Sequence, residues 1–293
     1  TRDELAADVG VESLVPGIHV RAHCPRPKRC VQARLRATAD EAMLRGMRTM
    51  IQILATSILL AFSACSTTKA HDELATASLA RGSDPRAVSI AEDMLDALGG
   101  RAAWDRARVL EWNFFGRRSH VWDKWTGDYR LDDGNKVVLM NLNTGVGRVF
   151  DGGVEVVAAE TRTKELARAK SIWINDSYWL VMPYKLLDPG VTLRDGGQRK
   201  LASGAPADVV RVEFEAVGDT PMNAYDVFVS QETRLVAEWS YFEDRGDDEP
   251  KLSSPWSGWQ EFHGIRLCGD RGPKRSITDI AVRDEPPAKL HTF

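Results

Sequence analysis

From Val109 onward the chain alternates apolar and polar residues over short runs broken by turn residues. In Val109 to Arg117, Leu110, Trp112 and Phe114 fall on one side and Glu111 and Asn113 on the other, the period of a half-buried strand. Ser119 to Trp125, Tyr129 to Asp132, Val137 to Asn141 and Arg148 to Phe150 repeat this. Thr126-Gly127-Asp128, Asp133-Gly134, Asn143-Thr144-Gly145 and Asp151-Gly152-Gly153 separate them as turns. Further on, Val191 to Arg194, Arg199 to Leu201, Val209 to Glu215, Tyr225 to Val229, Leu235 to Phe242, Trp256 to Phe262, Ile265 to Leu267 and Ile277 to Val282 read as strands. Two stretches change to the helical period. Val88, Ala91, Met94 or Leu95, and Leu98 recur at helical spacing between Pro85 and Gly99-Gly100, with Ser83 or Asp84 placed to cap the start. Leu166, Ala169 and Trp173 predict a second helix entering from Thr163. Asn175 or Asp176 is placed to cap a third short helix, Ser177 to Met182, which Pro183 ends. The stretch Ser171 to Gly190 is too aromatic for a solvated surface and reads as a helical plug against a sheet.

The first 46 residues are Arg-rich and Pro-punctuated, without sustained periodicity, and read as an upstream or disordered extension. From Met43 or Met47 the chain changes character. Arg45 and Arg48 precede an apolar run, Ile51 to Phe62, with small residues after it. The run is shorter than the roughly 20 residues of a spanning helix and has the layout of a secretory signal. It ends in Phe62-Ser63-Ala64-Cys65, which resembles the bacterial lipoprotein signal, with Phe62 where Leu is usual. The resemblance implies cleavage after Ala64 and acylation of Cys65; a plain signal peptide with an incidental Cys is the alternative. Ser66 follows where an inner-membrane lipoprotein carries Asp, which points to the outer membrane. Residues 65–84 are small and polar, as a flexible tether would be, and 85–293 remain as one folded domain.

Charge and cysteine usage narrow the function. Residues 1–64 hold nine Lys or Arg and six Asp or Glu, so the chain beyond them carries −6 against −3 for the whole. No basic patch survives that would serve nucleic acid. Beyond residue 64 only Cys65 and Cys268 remain, and with Cys65 acylated no internal disulfide forms. Cys268 reads as a small core or strand-end residue rather than a nucleophile. The sequence holds no Gly-x-Ser-x-Gly elbow, phosphate loop, zinc helix or dinucleotide fingerprint. His120 can be paired with Asp123, but a strand-surface histidine is the simpler reading. Glu243 to Glu249 reads as a solvated loop whose ligand spacing is too irregular for calcium. No cofactor or metal site is expected, nor an enzyme.

About ten short strands in meander order, preceded by a helix and interrupted by a helical plug, predict an α+β fold. With the lipoprotein signal, this order resembles the LolA/LolB class of periplasmic lipoprotein carriers and the related outer-membrane lipoprotein-sorting family. The residues that carry the likeness are Trp112-Asn113-Phe114-Phe115-Gly116, Trp122-Asp123-Lys124-Trp125 and Trp173-Ile174-Asn175-Asp176-Ser177-Tyr178-Trp179-Leu180. It implies a strongly curved antiparallel sheet, an incomplete β-barrel with helices over its opening, holding an acyl chain of a lipid or lipoprotein. The expected setting is the periplasmic face of the outer membrane, with an N-terminal lipid anchor. Nine Trp give the aromatic side chains to line such a cavity. Trp112, Phe114, Trp122, Trp173, Trp179, Tyr184 and Trp239 are the candidates, against the alternative that they only fill a core. Competing functions are a structural envelope lipoprotein docking a protein partner, and an unrecognised hydrolase.

Overall fold

In the computed structural model the described residues are 73–79, 81–215, 217–273 and 275–293. All lie in one compact unit, Ser63–Phe293. The expected extension, the signal and Cys65 lie outside the described residues.

Seven antiparallel strands make the first sheet: β1 (Val109–Phe114), β2 (Arg118–Asp123), β3 (Asp128–Asp133), β4 (Lys136–Asn141), β5 (Gly147–Asp151), β6 (Val154–Glu155) and, beside β1, the last strand β14 (Ile277–Arg283). Five more make the second: β7 (Val191–Lys200), β8 (Pro206–Phe214), β9 (Ala224–Ser230), β10 (Val236–Phe242) and β11 (Leu252–Pro255). A separate hairpin joins β12 (Gln260–Phe262) to β13 (Ile265–Leu267). Among the described residues the fold is therefore α+β, with two large antiparallel sheets and no closed barrel. Turn chemistry sets the meander. Asp133 pairs with Lys136 across a two-residue loop in which Gly134 takes φ 61°, a conformation that favours glycine.

Residues 73–79 are helical (α1), followed by α2 (Pro85–Ala97), α3 (Gly100–Arg106) and α4 (Ala159–Val181). Pro85 stands in the first turn of α2, where a missing N–H is harmless, and Ala87, Val88, Ile90, Ala91, Met94 and Leu95 are buried. Gly99, at φ 112°, turns the chain from α2 into α3; an added Cβ there would overlap the Gly264 carbonyl. The tether expected to reach Asp84 is packed over its last part. Ser78 is fully buried, its hydroxyl lies 2.9 Å from that of Ser83, and Ser83 Oγ accepts the Leu193 N–H.

Two expectations change in detail. Val191 to Arg194 and Arg199-Lys200 belong to one strand with a bulge between Asp195 and Gln198, and Leu201 lies just beyond it. Trp256 is not in a strand; β11 ends before it and β12 begins at Gln260.

The plug is one continuous helix, not two. Asn175 and Asp176 cap nothing: Asp176 is fully buried and its carboxylate is engaged by side chains from β2, so it does not compete for backbone N–H groups. Pro183 lies in the 3-10 turn Met182–Lys185 that follows α4. The first half of α4 lays Leu166, Ala169, Ile172 and Trp173 on Tyr129, Leu131, Val138, Met140 and Val149 of β3–β5. Its second half places Tyr178, Trp179, Leu180 and Val181 in the main core with Val210, Val212, Val227, Val229 and Trp239 of the second sheet. Full burial of a side chain such as Leu180 contributes about 1.5–3 kcal/mol. One helix thus ties both sheets together.

Candidate functional site

The seven candidate aromatics divide into two groups. Trp112, Phe114, Tyr184 and Trp239 are buried in the core. Tyr184 donates its hydroxyl to the Leu98 and Arg266 carbonyls at 3.0 and 2.8 Å and stacks on Trp104. Trp122, Trp173 and Trp179 are half-buried. Trp122 and Trp173 meet edge to face at 5.1 Å between β2 and α4. Trp179 meets Phe115 at 5.4 Å and Trp239 at 4.7 Å.

From Trp239 the contacts continue through rings outside the seven candidates. Tyr178 lies 6.1 Å from both Trp239 and Phe214, and 5.5 Å from Tyr225. Tyr225 lies 5.4 Å from Tyr241, its cross-strand neighbour. Phe115, Tyr178, Trp179, Phe214, Tyr225 and Tyr241 are all half-buried. They form an aromatic seam from the β1–β2 turn, across α4, to one end of the second sheet.

Beneath α4 sits a buried polar cluster. Arg118, His120 and Trp122 share one face of β2, and that face points toward the helix. Arg118 Nη2 donates to Asp176 Oδ1 at 3.0 Å, and Asn175 Nδ2 does so at 2.8 Å. Asp176 Oδ2 forms an ion pair with Arg118 Nε at 2.8 Å and lies 3.1 Å from His120 Nε2, a close polar contact; neither has hydrogen-bond alignment. His120 Nδ1 is 2.8 Å from the Tyr129 hydroxyl, and its ring stacks on Trp112 at 4.5 Å. His120 is therefore not a strand-surface residue but 1% exposed. Nor is Asp123 its partner: that carboxylate accepts from Arg108 Nε at 3.0 Å and from the Trp125 N–H at 2.9 Å. Burial holds the His120 pKa below the ordinary imidazole value despite the neighbouring Asp176, and Arg118 pushes in the same direction as burial. Burial likewise raises the Tyr129 phenol well above its usual value. Tyr, His and Asp in a row suggest proton transfer, but none of the three reaches solvent. The arrangement pins the helix and offers no surface for a substrate.

Arg271 is a fully buried cation. Pro183 has no N–H to give to the carbonyl four residues earlier, which belongs to Trp179, so the helix leaves that oxygen without its usual donor. Arg271 Nη2 supplies the bond at 2.7 Å. The guanidinium lies 3.7 Å over Trp256, and burial pulls its pKa below the usual arginine value. Its neighbour Cys268 is buried, with its thiol pushed up to about 11 by burial, which suits a core residue and not a nucleophile.

Two open polar clefts lie away from the seam. The larger, about 660 Å³, runs over the second sheet between Arg199, Arg211, Asp226 and the loop Asp247 to Pro250. The smaller, about 430 Å³, lies between β12–β13 and β14. Neither includes any of the seven candidate aromatics. Among the described residues no group of three or more His, Cys, Asp or Glu is placed to hold a metal ion, and no helix is long and apolar enough to cross a membrane.

No family model matches this chain, nor does any curated protein sequence. Among solved structures it is similar to a DUF1329 family protein from Desulfovibrio piger, at 11% identity over 66% of this chain and 90% of that one, with a TM-score of 0.34. It is similar to MucB at 16% identity over 69% of this chain and 62% of that one, with a TM-score of 0.25. The complex of MucA and MucB from Pseudomonas aeruginosa gives 16% identity over 64% and 63%, with a TM-score of 0.22. Overlaps this low carry no argument about fold, location or function.

Proposed function

We propose that this protein is a non-enzymatic binding protein of the bacterial envelope that takes an acyl chain, from a lipid or a lipoprotein, along the aromatic seam between α4 and the second sheet. The observation that carries the reading is the seam itself. Six half-buried rings in two contacting groups, Phe115 with Trp179 and Tyr178 with Phe214, Tyr225 and Tyr241, joined by the buried Trp239, present flat apolar surface without demanding hydrogen bonds along their faces. In this reading the two sheets act as the walls of an incomplete barrel and α4 as its lid. The protein faces the periplasm from the outer membrane, held by acylated Cys65, and serves lipoprotein sorting. The core is packed in the closed arrangement, so the chain enters only as the second half of α4 shifts and Trp179 swings away.

Trp179→Ala separates the roles. Loss of a pure core side chain would lower stability by about 3–5 kcal/mol and leave ligand binding unchanged in the folded fraction. As part of a ligand wall, the half-buried ring contributes less to stability, and its removal weakens binding of a fluorescent fatty-acyl probe. Native mass spectrometry of protein purified without detergent supplies the second check. With no co-purified lipid and no rise in melting temperature in any acyl lipid, the proposal fails. The filled core favours one other reading, a partner-docking protein in which the seam is covered by another polypeptide, and that reading would then lead.

A further inference from the structure

Three N–H groups are buried without an acceptor in one connected cluster: Arg271 Nε, Trp256 Nε1 and Trp239 Nε1. Each residue is 1% exposed. The guanidinium lies 3.7 Å over the Trp256 ring, Trp256 meets Trp239 at 5.3 Å, and Trp239 meets Trp179 of the seam at 4.7 Å. All the groups that Arg271 does reach are neutral. Nη1 donates to the Asp270 carbonyl at 2.8 Å and to Cys268 Sγ at 3.2 Å; Nη2 donates to the Trp179 and Cys268 carbonyls at 2.7 and 3.1 Å. The nearby Asp270 carboxylate is turned elsewhere, accepting from Ser257 Oγ at 2.6 Å and the Gly272 N–H at 2.9 Å. A positive charge is thus enclosed with no carboxylate bonded to it among the described residues, the Asp270 carboxylate acting on it only through space, in surroundings where buried charges are ordinarily paired.

A carboxylate is the complementary group. It brings one negative charge and only acceptor lone pairs, enough for all three free donors. We infer that Arg271, with Trp239 and Trp256, is the head-group end of the ligand site and selects an acyl chain that ends in a free carboxylate. The inference rests on the proposed acyl-binding function and narrows it to free acids, setting aside lipoprotein cargo, whose chains are ester- or amide-linked. An ester- or amide-linked chain brings a carbonyl but no charge, and a fatty alcohol would add a hydroxyl donor to a cluster of donors. The acid would place its carboxylate inward beside Arg271 and its tail outward along Trp179 and Phe115.

The test titrates the detergent-free protein with palmitic acid, methyl palmitate and hexadecanol at pH 8, following tryptophan fluorescence. Palmitate is expected to bind at least tenfold tighter than the other two. Arg271→Met should reduce that ratio to near one, and Arg271→Lys should retain part of it. Should Arg271→Met not fold, Trp256→Phe, which removes one donor and keeps a ring under the guanidinium, must lower the ratio. Equal affinity of the unaltered protein for all three ligands overturns the head-group inference while leaving acyl binding intact. Binding of none overturns the acyl reading itself.

Discussion

Replacement of Asp176 by Asn tests whether the buried charge cluster holds α4 on the first sheet. The substitution keeps the shape of the side chain and removes its charge. In the native protein the carboxylate is 0% exposed and faces Arg118, His120 and Asn175 at 2.8–3.1 Å. Loss of the charge leaves the Arg118 guanidinium under the helix without its counter-ion. Breaking a buried pair on one side costs about 3–5 kcal/mol. Arg118 is 17% exposed at its side chain, so water screens part of the loss and the lower end, about 3 kcal/mol, is expected. For a domain of 150–250 residues each kcal/mol moves the melting temperature by about 2–4 °C, which gives a fall of roughly 6–12 °C. Circular dichroism melts and urea titrations measure it. Arg118→Met removes the other partner, and Arg118→Met with Asp176→Leu replaces the pair by apolar side chains. The double variant should then lose at least about 1.5 kcal/mol less than the sum of the single losses. A loss below about 1 kcal/mol for Asp176→Asn, or simple additivity in the cycle, would refute the claim that this cluster pins the helix.

Two further outcomes follow from buried groups. Because burial keeps the His120 pKa in the fold below its unfolded value of about 6.5, the unfolded chain binds the proton first as pH falls. The His120 contribution is therefore fully present above about pH 6.5 and declines below it until the folded-state pKa is passed. His120→Gln should flatten that part of a urea-midpoint profile, and an unchanged slope would show that His120 titrates as it does in the unfolded chain. Cys268, with its thiol near 11 and 1% exposed, should resist iodoacetamide at pH 8 in the native protein and label fully in denaturant. Peptide mapping isolates its signal, and rapid native labelling would show that the strand end opens.

What was legible in the sequence was whatever local periodicity and turn chemistry decide. The strands from Val109 to Phe150 and the helix after Pro85 emerge within a few residues of their expected limits, because alternation and Gly or Asp punctuation mark them. The partition into two sheets was not legible, since β14 joins β1 across more than 150 residues and no local signal encodes that pairing. The break expected at Asn175-Asp176 failed for a related reason. Both residues favour caps when only neighbouring backbone competes for their side chains, and here an arginine from β2 outcompetes it. His120 could have been read correctly. Its two-residue spacing from Trp122 places it on the face of that inward tryptophan, so the alternation already argued for burial.

Arg271 marks the boundary between the two kinds of knowledge. Pro183 alone implies that the carbonyl of Trp179 lacks an intrahelical donor, and the apolar residues around it imply that water is a poor substitute. A donor from elsewhere in the chain was therefore required by local chemistry, although nothing local says which residue supplies it. The fold brings a guanidinium from the loop beyond β13, and a guanidinium meets that demand with more than it needs. One N–H satisfies that carbonyl and others hold the Asp270 and Cys268 carbonyls and the Cys268 sulfur, while the charge and the free Nε remain. A neutral donor such as an asparagine amide would have capped α4 without enclosing a cation. The unused Nε and the charge lie behind Trp239, beneath the middle of the aromatic seam, where the head group of a bound acid would sit.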